Sequence, residues 1–388
     1  MNDLFWLTIF LFIVAAALRS ELFFYLLYVV VGLQVLARVW LRQGTRSLSW
    51  HRRAPVAAFP GEPLTVELEV KNSSVLPIPW VALQESIPPT LHNPPIIREV
   101  VSLRGGERHV FTYTLIGRQR GYYRLGPLSL RTGDVLGLGE HSVAGDANNG
   151  LTIYPTILPL AELGLPASLP YGTLATKQRL FSDPARPAGV RPYHPSDGVR
   201  GIDWKTTAHA GFPQVRRYQP AIALETLIGL AFSRGEYGGR YIYDYMERAL
   251  VVAASIAVYL AARSQPIGFV TTGRDPATNI AAPVIRIAAG HPHLIHILGT
   301  LGRLEPTTHG DLAALLLQAS AHLSWGSTIV MITGQRGVEL LTALLPLKQR
   351  GFNVALIMIE PTPDELALPR RHGITAFGIW RDGRPSPN

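Results

Sequence analysis

A chain of 388 residues is too long for one ordinary core; at roughly 100 to 200 residues per domain it reads as two folded modules plus any membrane part. The hydrophobic fraction of 47% against 16% charged, with a positive mean hydropathy, places part of it in lipid. The lack of cysteine excludes disulfides, thiolate nucleophiles and Cys-ligated zinc and suits a reducing compartment, while the net charge of +9 leaves nucleic acid, anionic lipid and acidic partners open.

Two apolar runs open the chain, LFWLTIFLFIVAAAL over 4–18 and LFFYLLYVVVGLQVLA over 22–37, separated only by Arg19, Ser20 and Glu21. Each is slightly short for a hydrocarbon core that needs about 20 helical residues, and flanking residues extend both. Residues 1–41 therefore read as a transmembrane helical hairpin that meets the lipid bilayer through 4–37. No basic stretch precedes the first run, which argues against a cleaved signal peptide. Arg38, Arg42, Arg46, Arg52 and Arg53 follow the second run. The positive-inside rule then puts the downstream bulk in the cytoplasm, and these arginines become a juxtamembrane patch on anionic lipid in preference to a nucleic-acid surface.

Residues 42–155 carry short alternating segments, among them LTVELEVKN, REVVSL and RHVFTYTLI, punctuated by Gly, Pro and Asn. Period-two patterning with β-branched and aromatic residues predicts an antiparallel β-sandwich without a helix of useful length. Residues 156–220, rich in Pro, Leu and Ala at their start, read as a connector. From 221 to 388 strands apolar on both faces (ALETLIGLAF, IGFVTT, STIVMIT, NVALIMI, ITAFGIW) alternate with helices such as YDYMERALVVAASIAVYLAAR, which predicts a doubly wound α/β domain. The apolar stretch 249–262 is too short for a third span and is flanked by Glu247, Arg248 and Arg263, so it reads as a buried core helix.

An open α/β sheet binds ligands at the carboxyl ends of its strands. No GxxxxGK[ST] or GxGxxG follows any of these strands, which gives nucleotide binding little support. Such a three-layer α/β domain resembles the von Willebrand factor A fold, whose metal site begins Asp-x-Ser-x-Ser after its first strand. Ala231, Ser233 and Gly235 stand at the corresponding places, and Arg234 lies between them. A hard cation wants carboxylate oxygen, so this copy reads as a degenerate site, with no metal and no cofactor expected. His291, His293 and His296 have ligand-like spacing, but the sequence near them offers no carboxylate, and they read as a polar loop entering a helix.

The stretch RPYHPSDGVRGIDWKTTAHAG, 191–211, holds the densest chemistry. As an enzyme site, Asp197 and Asp203 would hold a metal and Lys205 would polarise a phosphate, a pattern similar to metal-dependent nucleases. The short spacing leaves no room for the strand turn such a site needs. As structure, Ser196 or Asp197 caps a helix beginning near Val199, Trp204 anchors that helix to a core, and Arg200, Lys205, His209, Arg216 and Arg217 face solvent or a partner.

This order of parts resembles the bacterial domain of unknown function fifty-eight family, membrane proteins associated with MoxR-type AAA+ ATPases. The family hallmark, Tyr-x-x-x-Asp-x-x-Arg-x-Ile-Asp-Trp-Lys followed by a small and a basic residue, is matched by Tyr193, Asp197, Arg200, Ile202, Asp203, Trp204, Lys205, Ala208 and His209. His209 stands where the family usually has Arg. Gly121, Gly126, Pro127, Asp134, Gly137 and Leu138 match a second family stretch. The resemblance implies a multi-pass protein of the bacterial inner membrane, with a von Willebrand factor A-like domain and no catalysis of its own. It further implies an adaptor that works with a cytosolic MoxR-type ATPase in assembling or maturing a protein complex. The alternative is a membrane-tethered hydrolase that acts on an anionic substrate through Asp197, Asp203 and Lys205.

Overall fold

The computed structural model describes residues 2–18, 21–92, 95–134, 140–145, 149–166, 182–194, 202–220, 225–238, 240–324, 326–334 and 338–380. They fall into two compact units, 1–156 and 157–388.

The first unit begins with helices α1 (Asn2–Leu18) and α2 (Glu21–Ser47). The amide of Gln34 in α2 donates to Thr8 Oγ1 in α1 at 2.6 Å. Large apolar side chains such as Trp6, Phe10, Tyr25 and Val29 stand more than half exposed along both helices. Among the described residues α2 is the helix long and apolar enough to cross a membrane. It does not stop near residue 41: it runs unbroken through Arg42 and Arg46 to Ser47, because its last turns have a protein surface to lie on. Gly44 faces Ile78, Trp40 Nε1 donates to Pro77 O at 3.0 Å, and Ser47 O accepts from Ser73 N at 2.9 Å.

Strand β1 (Leu48–Arg53) follows directly, then β2 (Ala57–Ala58), β3 (Pro63–Asn72), β4 (Ile78–Ser86), β5 (Ile96–Leu103), β6 (Arg108–Ile116), β7 (Gly121–Leu125), β8 (Leu128–Gly133), β9 (Glu140–Gly145) and β10 (Asn149–Ile153). They form sheets ordered β1-β3-β6, β2-β10-β7 and β5-β4-β8-β9. The period-two pattern is plain in β3, where Leu64, Val66, Leu68 and Val70 are buried and the residues between them face outward. Leu68 and Val70 share a core with Val81, Leu83 and Leu130 of the facing sheet, the packing of a β-sandwich.

One buried residue runs against the sequence reading. Arg52 does not belong to the juxtamembrane patch: it is 5% exposed and points into the sandwich. Its guanidinium pairs with Glu85 of β4 and donates to Leu125 O at 3.1 Å, and Tyr113 of β6 donates to the other Glu85 oxygen at 2.8 Å. Burial pushes the Glu85 carboxyl up, opposed by Arg52 and Tyr113. A buried charge is tolerable only when paired in this way.

The second unit comprises β11 (Ser182–Pro192), α3 (Trp204–Ala210), β12 (Gln214–Pro220), β13 (Thr226–Leu230), α4 (Ile242–Ala261), β14 (Ile267–Thr271), β15 (Arg274–Asp275), β16 (Ile280–Ala281), β17 (Val284–Ala288), α5 (His291–Arg303), α6 (Leu312–Ser320), β18 (Thr328–Thr333), α7 (Val338–Gln349), β19 (Asn353–Ile359), α8 (Pro363–Arg371) and β20 (Thr375–Ile379). Its main sheet is ordered β17-β14-β13-β18-β19-β20, with β17 antiparallel and the other pairs parallel. Every residue of β13, β14 and β18 is buried, as strands covered on both faces must be. The apolar stretch at 249–262 is the buried side of α4, packed along this sheet. Gly229 gives Leu316 of α6 room to lie against β13, since a Cβ there would come within 2.8 Å of it.

Candidate interaction site

The signature segment forms a small structure of its own. β11 and β12 pair antiparallel from Pro192↔Gln214 outward, and α3 sits in the connection between them. Ile202 bridges Val215, and Asp203 N donates to Gln214 O at 2.8 Å, so the backbone is still extended at 202–203. The helix therefore starts at Trp204, later than Val199. Its N-cap is Asp203, whose Oδ1 accepts from Lys205 N at 3.1 Å and Thr206 N at 3.2 Å, satisfying donors that the first turn leaves orphaned. Gly211 ends it with φ of 75°, a left-handed conformation suited to glycine, and donates to Thr207 O at 3.0 Å. The Thr207 hydroxyl accepts from Gln214 N at 2.9 Å and ties the helix to β12.

Trp204 does not anchor this helix to a core. Its side chain is 67% exposed, and α3 has no buried residue. Thr207 is turned to β12, and Trp204 and Ala208 are exposed on α3 at i and i+4, with Phe212 exposed just beyond the Gly211 cap. Lys205 and His209 are exposed next to them. Phe212 is 50% and Val190 of β11 is 43% exposed. Tyr193 is half-buried, its amide bonded to Pro213 O at 2.9 Å. Asp197 and Arg200 lie outside the described residues, as do the side chains of Arg216 and Arg217.

The carboxyl ends of the main strands form the second place where function was expected. The chain leaves β13 for β14 on one side and later occupies β18 on the other, so a switch point lies between β13 and β18. Ala231, Ser233 and Gly235 are indeed here, but the sequence reading missed what surrounds them. Glu236 is buried, and one of its oxygens accepts from Ser233 Oγ at 2.6 Å, Ser233 N at 3.2 Å and Thr272 Oγ1 at 3.2 Å. Burial pushes its carboxyl up, the Ser233 and Thr272 bonds oppose this, and Asp311 adds to the upward push. Tyr237, 4% exposed, donates to Ala231 O at 2.9 Å and lies over Gly334, where a Cβ would come within 2.3 Å of its ring. Among the described residues, Glu236 and Tyr237 thus occupy this end of β13 with their own contacts. Ser233 and Glu236 stand in an S-x-x-E spacing, a capping-box signal present in the sequence; nothing local points to Thr272.

The histidines lie within α5, at its start, and not in a loop. His293 Nε2 is 2.7 Å from Ile267 O, a backbone contact and not a ligand set. Among the described residues no cluster of three or more His, Asp or Glu side chains could hold a metal.

Residues 189–375 match the family described as Protein of unknown function DUF58, a span that begins at the hairpin and ends at β20. The chain is 22% identical over 255 residues to the uncharacterized protein YeaD of Bacillus subtilis, covering 61% of this chain and 57% of that one. It is 26% identical over 133 residues to the uncharacterized protein Rv1480 of Mycobacterium tuberculosis, covering 34% of this chain and 41% of that one. The chain thus spans about half the length of these relatives. Among solved structures, the CARDB domain of the PF1109 protein of Pyrococcus furiosus, in complex with di-metal ions, aligns with 27% of this chain and 91% of its own at 20% identity and a TM-score of 0.21. The beta-glucosidase of Listeria innocua aligns with 29% of this chain and 16% of its own at 16% identity and a TM-score of 0.18. Likenesses at these scores carry no argument about activity.

Proposed function

We propose that this chain is a DUF58-family adaptor of the bacterial inner membrane that presents the 189–220 hairpin to a cytosolic MoxR-type AAA+ ATPase and has no catalytic step of its own. The observation that carries the reading is the division of labour between two adjacent signature residues. Asp203 is engaged as a helix cap, and the neighbouring Trp204 stands 67% exposed. A hydrolase would aim such a carboxylate at a substrate. Here it fixes a helix that displays an aromatic side chain, and exposed Trp is the residue type that most often anchors protein interfaces.

The membrane part of the reading has α1 and α2 crossing as a hairpin, supported by their outward apolar side chains and the Gln34–Thr8 bond. Arg38, Arg42, Arg46 and Arg53 are exposed beyond the apolar run and favour a cytoplasmic location for both soluble units. The sheet order with its antiparallel edge strand β17 supports a von Willebrand factor A-like domain whose metal position is closed by Glu236 and Tyr237.

The test is co-purification of the full chain, solubilised from its own membranes, with the ATPase, comparing wild type with Asp203→Asn and Trp204→Ala. The adaptor reading expects Asn to retain the partner, because it still caps, and Ala at 204 to lose it. Turnover of a phosphoester or peptide substrate that vanishes in Asp203→Asn would establish the hydrolase instead.

A further inference from the structure

A single apolar residue on a protein surface is ordinary, but Val75 stands 94% exposed on a loop that the fold holds rigid. The buried Asn72 side chain grips this loop, 73–77, from within. Its amide donates to Leu76 O at 2.9 Å and Arg104 O at 3.0 Å, and its Oδ1 accepts from Ser74 N at 3.0 Å and Ser74 Oγ at 2.9 Å. The turn between β5 and β6 closes the other side: Gly106 N donates to Ser74 O at 2.9 Å, and a Cβ at Gly105 would come within 2.1 Å of Val75 O.

The depth of the loop is set by α2. Ser73 bonds to Ser47 O, Ile78 lies against Gly44, and Pro77 O accepts from Trp40 Nε1, so the loop climbs α2 toward its apolar part. Trp40 is three residues past Ala37, the last of the apolar run 22–37, or about 4.5 Å along the helix. The headgroup layer on each side of a hydrocarbon core is about 5–8 Å deep. The run itself spans only about 24 Å against a core of about 30 Å, so an embedded α2 draws its flanking turns inward. A tryptophan at that depth is an interfacial anchor. At this end of the unit Arg42, Arg46, Lys71, Arg104 and Arg108 are exposed. The exposed carboxylates among the described residues here are Glu107, whose Oε2 accepts from Arg104 N at 2.6 Å, and Glu140 at the start of β9; residues 135–139 lie outside the description. The cations outnumber them, which suits anionic headgroups.

We infer that the 73–77 loop enters the headgroup layer of an anionic bilayer, with Val75 against lipid and Arg104 and Arg108 on phosphates. The sandwich then rests on the membrane surface as well as hanging from α2. The inference rests on the membrane part of the reading above and adds a second, independent contact to it.

The chain has no cysteine, so a single introduced one carries a nitroxide label at a chosen place. The full chain is put into nanodiscs containing anionic phospholipid as Val75→Cys, as Val35→Cys in α2, or as Thr90→Cys, all exposed positions. Thr90 marks the far end of the sandwich: Leu91 O accepts from Ile116 N, and Ile116 pairs with Pro63, at the opposite end of β3 from Asn72. Oxygen concentrates in lipid and a nickel chelate stays in water, so their collision rates with the label read its depth. Expected at 75 are about fivefold fewer nickel collisions than at 90 together with more oxygen collisions, and a return toward the values at 90 in the Arg104→Glu/Arg108→Glu background. Both arginines are exposed, so the charge reversal does not threaten the fold. Equal collision rates at 75 and 90, with 35 shielded from nickel, would overturn the loop contact and leave α2 in the membrane. A label at 35 open to nickel would overturn the membrane reading and the loop contact with it. A fall in both collision rates at 75 would mean a protein cover and refute contact with lipid. Unchanged shielding at 75 in the charge-reversed protein would refute the contact between the arginines and phosphate.

Discussion

Truncating Glu85 to Ala removes one half of a buried ion pair and tests what holds the sandwich together. The Glu85 and Arg52 side chains are 0% and 1% exposed, so the guanidinium left behind stays in the interior without its counter-charge. Breaking such a pair typically costs about 3–5 kcal/mol, against a total stability of about 5–15 kcal/mol for a domain. Tyr113 also loses the acceptor for its hydroxyl, which places the expected loss at the upper end of that range. At 1.4 kcal/mol per factor of ten, the slowest amides of β3, β4 and β6 should exchange about 10²- to 10⁴-fold faster. Hydrogen exchange with mass spectrometry on the full chain in detergent reads this strand by strand, with β13, β14 and β18 of the other unit as the internal control. The double variant Arg52→Met/Glu85→Leu should recover most of the loss, since apolar replacement of both partners removes the unmet charge. Acceleration of less than tenfold in Glu85→Ala, or no recovery in the double variant, would refute the argument that pairing is what makes Arg52 tolerable there.

Three further outcomes are expected. Asp203→Ala should cost roughly 1 kcal/mol of local stability and speed exchange at 205–207, and Asp203→Asn should be close to neutral; equal effects would remove the capping account. Because burial raises the Glu236 carboxyl, the folded state favours its protonated form, so its contribution to stability is fully present at low pH and is lost as pH rises through the raised folded value. Glu236→Gln should therefore match wild type near pH 4 and equal or exceed its thermal stability at pH 7 and above, and a strong loss at pH 7 would mean that the ionised carboxylate is needed there. At Gly44 a Cβ would sit 3.6 Å from Ile78 Cγ1, ordinary contact, so Gly44→Ala should stabilise α2 by up to about 1 kcal/mol while Gly44→Phe should lift the helix and expose the 73–78 loop to protease.

The parts of the fold legible in the sequence are those where one element decides its own burial. Strands such as STIVMIT and NVALIMI carry uninterrupted apolar runs, IVMI and VALIMI, on both faces, and β18 and β19 appear where those runs do. Alternation in LTVELEVKN gives the inward face of β3. The failures share a different cause: they depend on a partner distant in sequence. Arg52 is sheltered by a carboxylate on another strand, so by itself it reads as one more surface arginine. Asp203 becomes the cap because Ile202 is held extended by Val215, a pairing that no helical periodicity around 199–209 reveals. Trp204 misleads because its size argues for burial unless the rest of the helix is known to have no core beneath it. VIRIA, five residues interrupted by Arg286, is too short to announce the antiparallel edge strand β17. At the candidate site, the S-x-x-E spacing foretells the Glu236–Ser233 bond, but only the folded sheet brings Thr272 to the same oxygen.

In the proposed membrane arrangement, the junction at Ser47 would make the bilayer a mechanical input to the sandwich. α2 passes into β1 without an intervening residue, and Ser47, Asn72 and Ser73 clasp the joint, so there is no hinge to absorb a change of angle. The 27-residue helix is about 40 Å long, and the turns beyond its apolar run, which carry Arg42 and Arg46, lie against the sandwich. If α2 crosses a bilayer as proposed, any tilt that the lipid imposes on its apolar part is passed to the sandwich. Bilayer thickness and lateral pressure would then be transmitted as a rotation of a rigid body, a lever whose short arm is the lipid and whose long arm carries the β-strands.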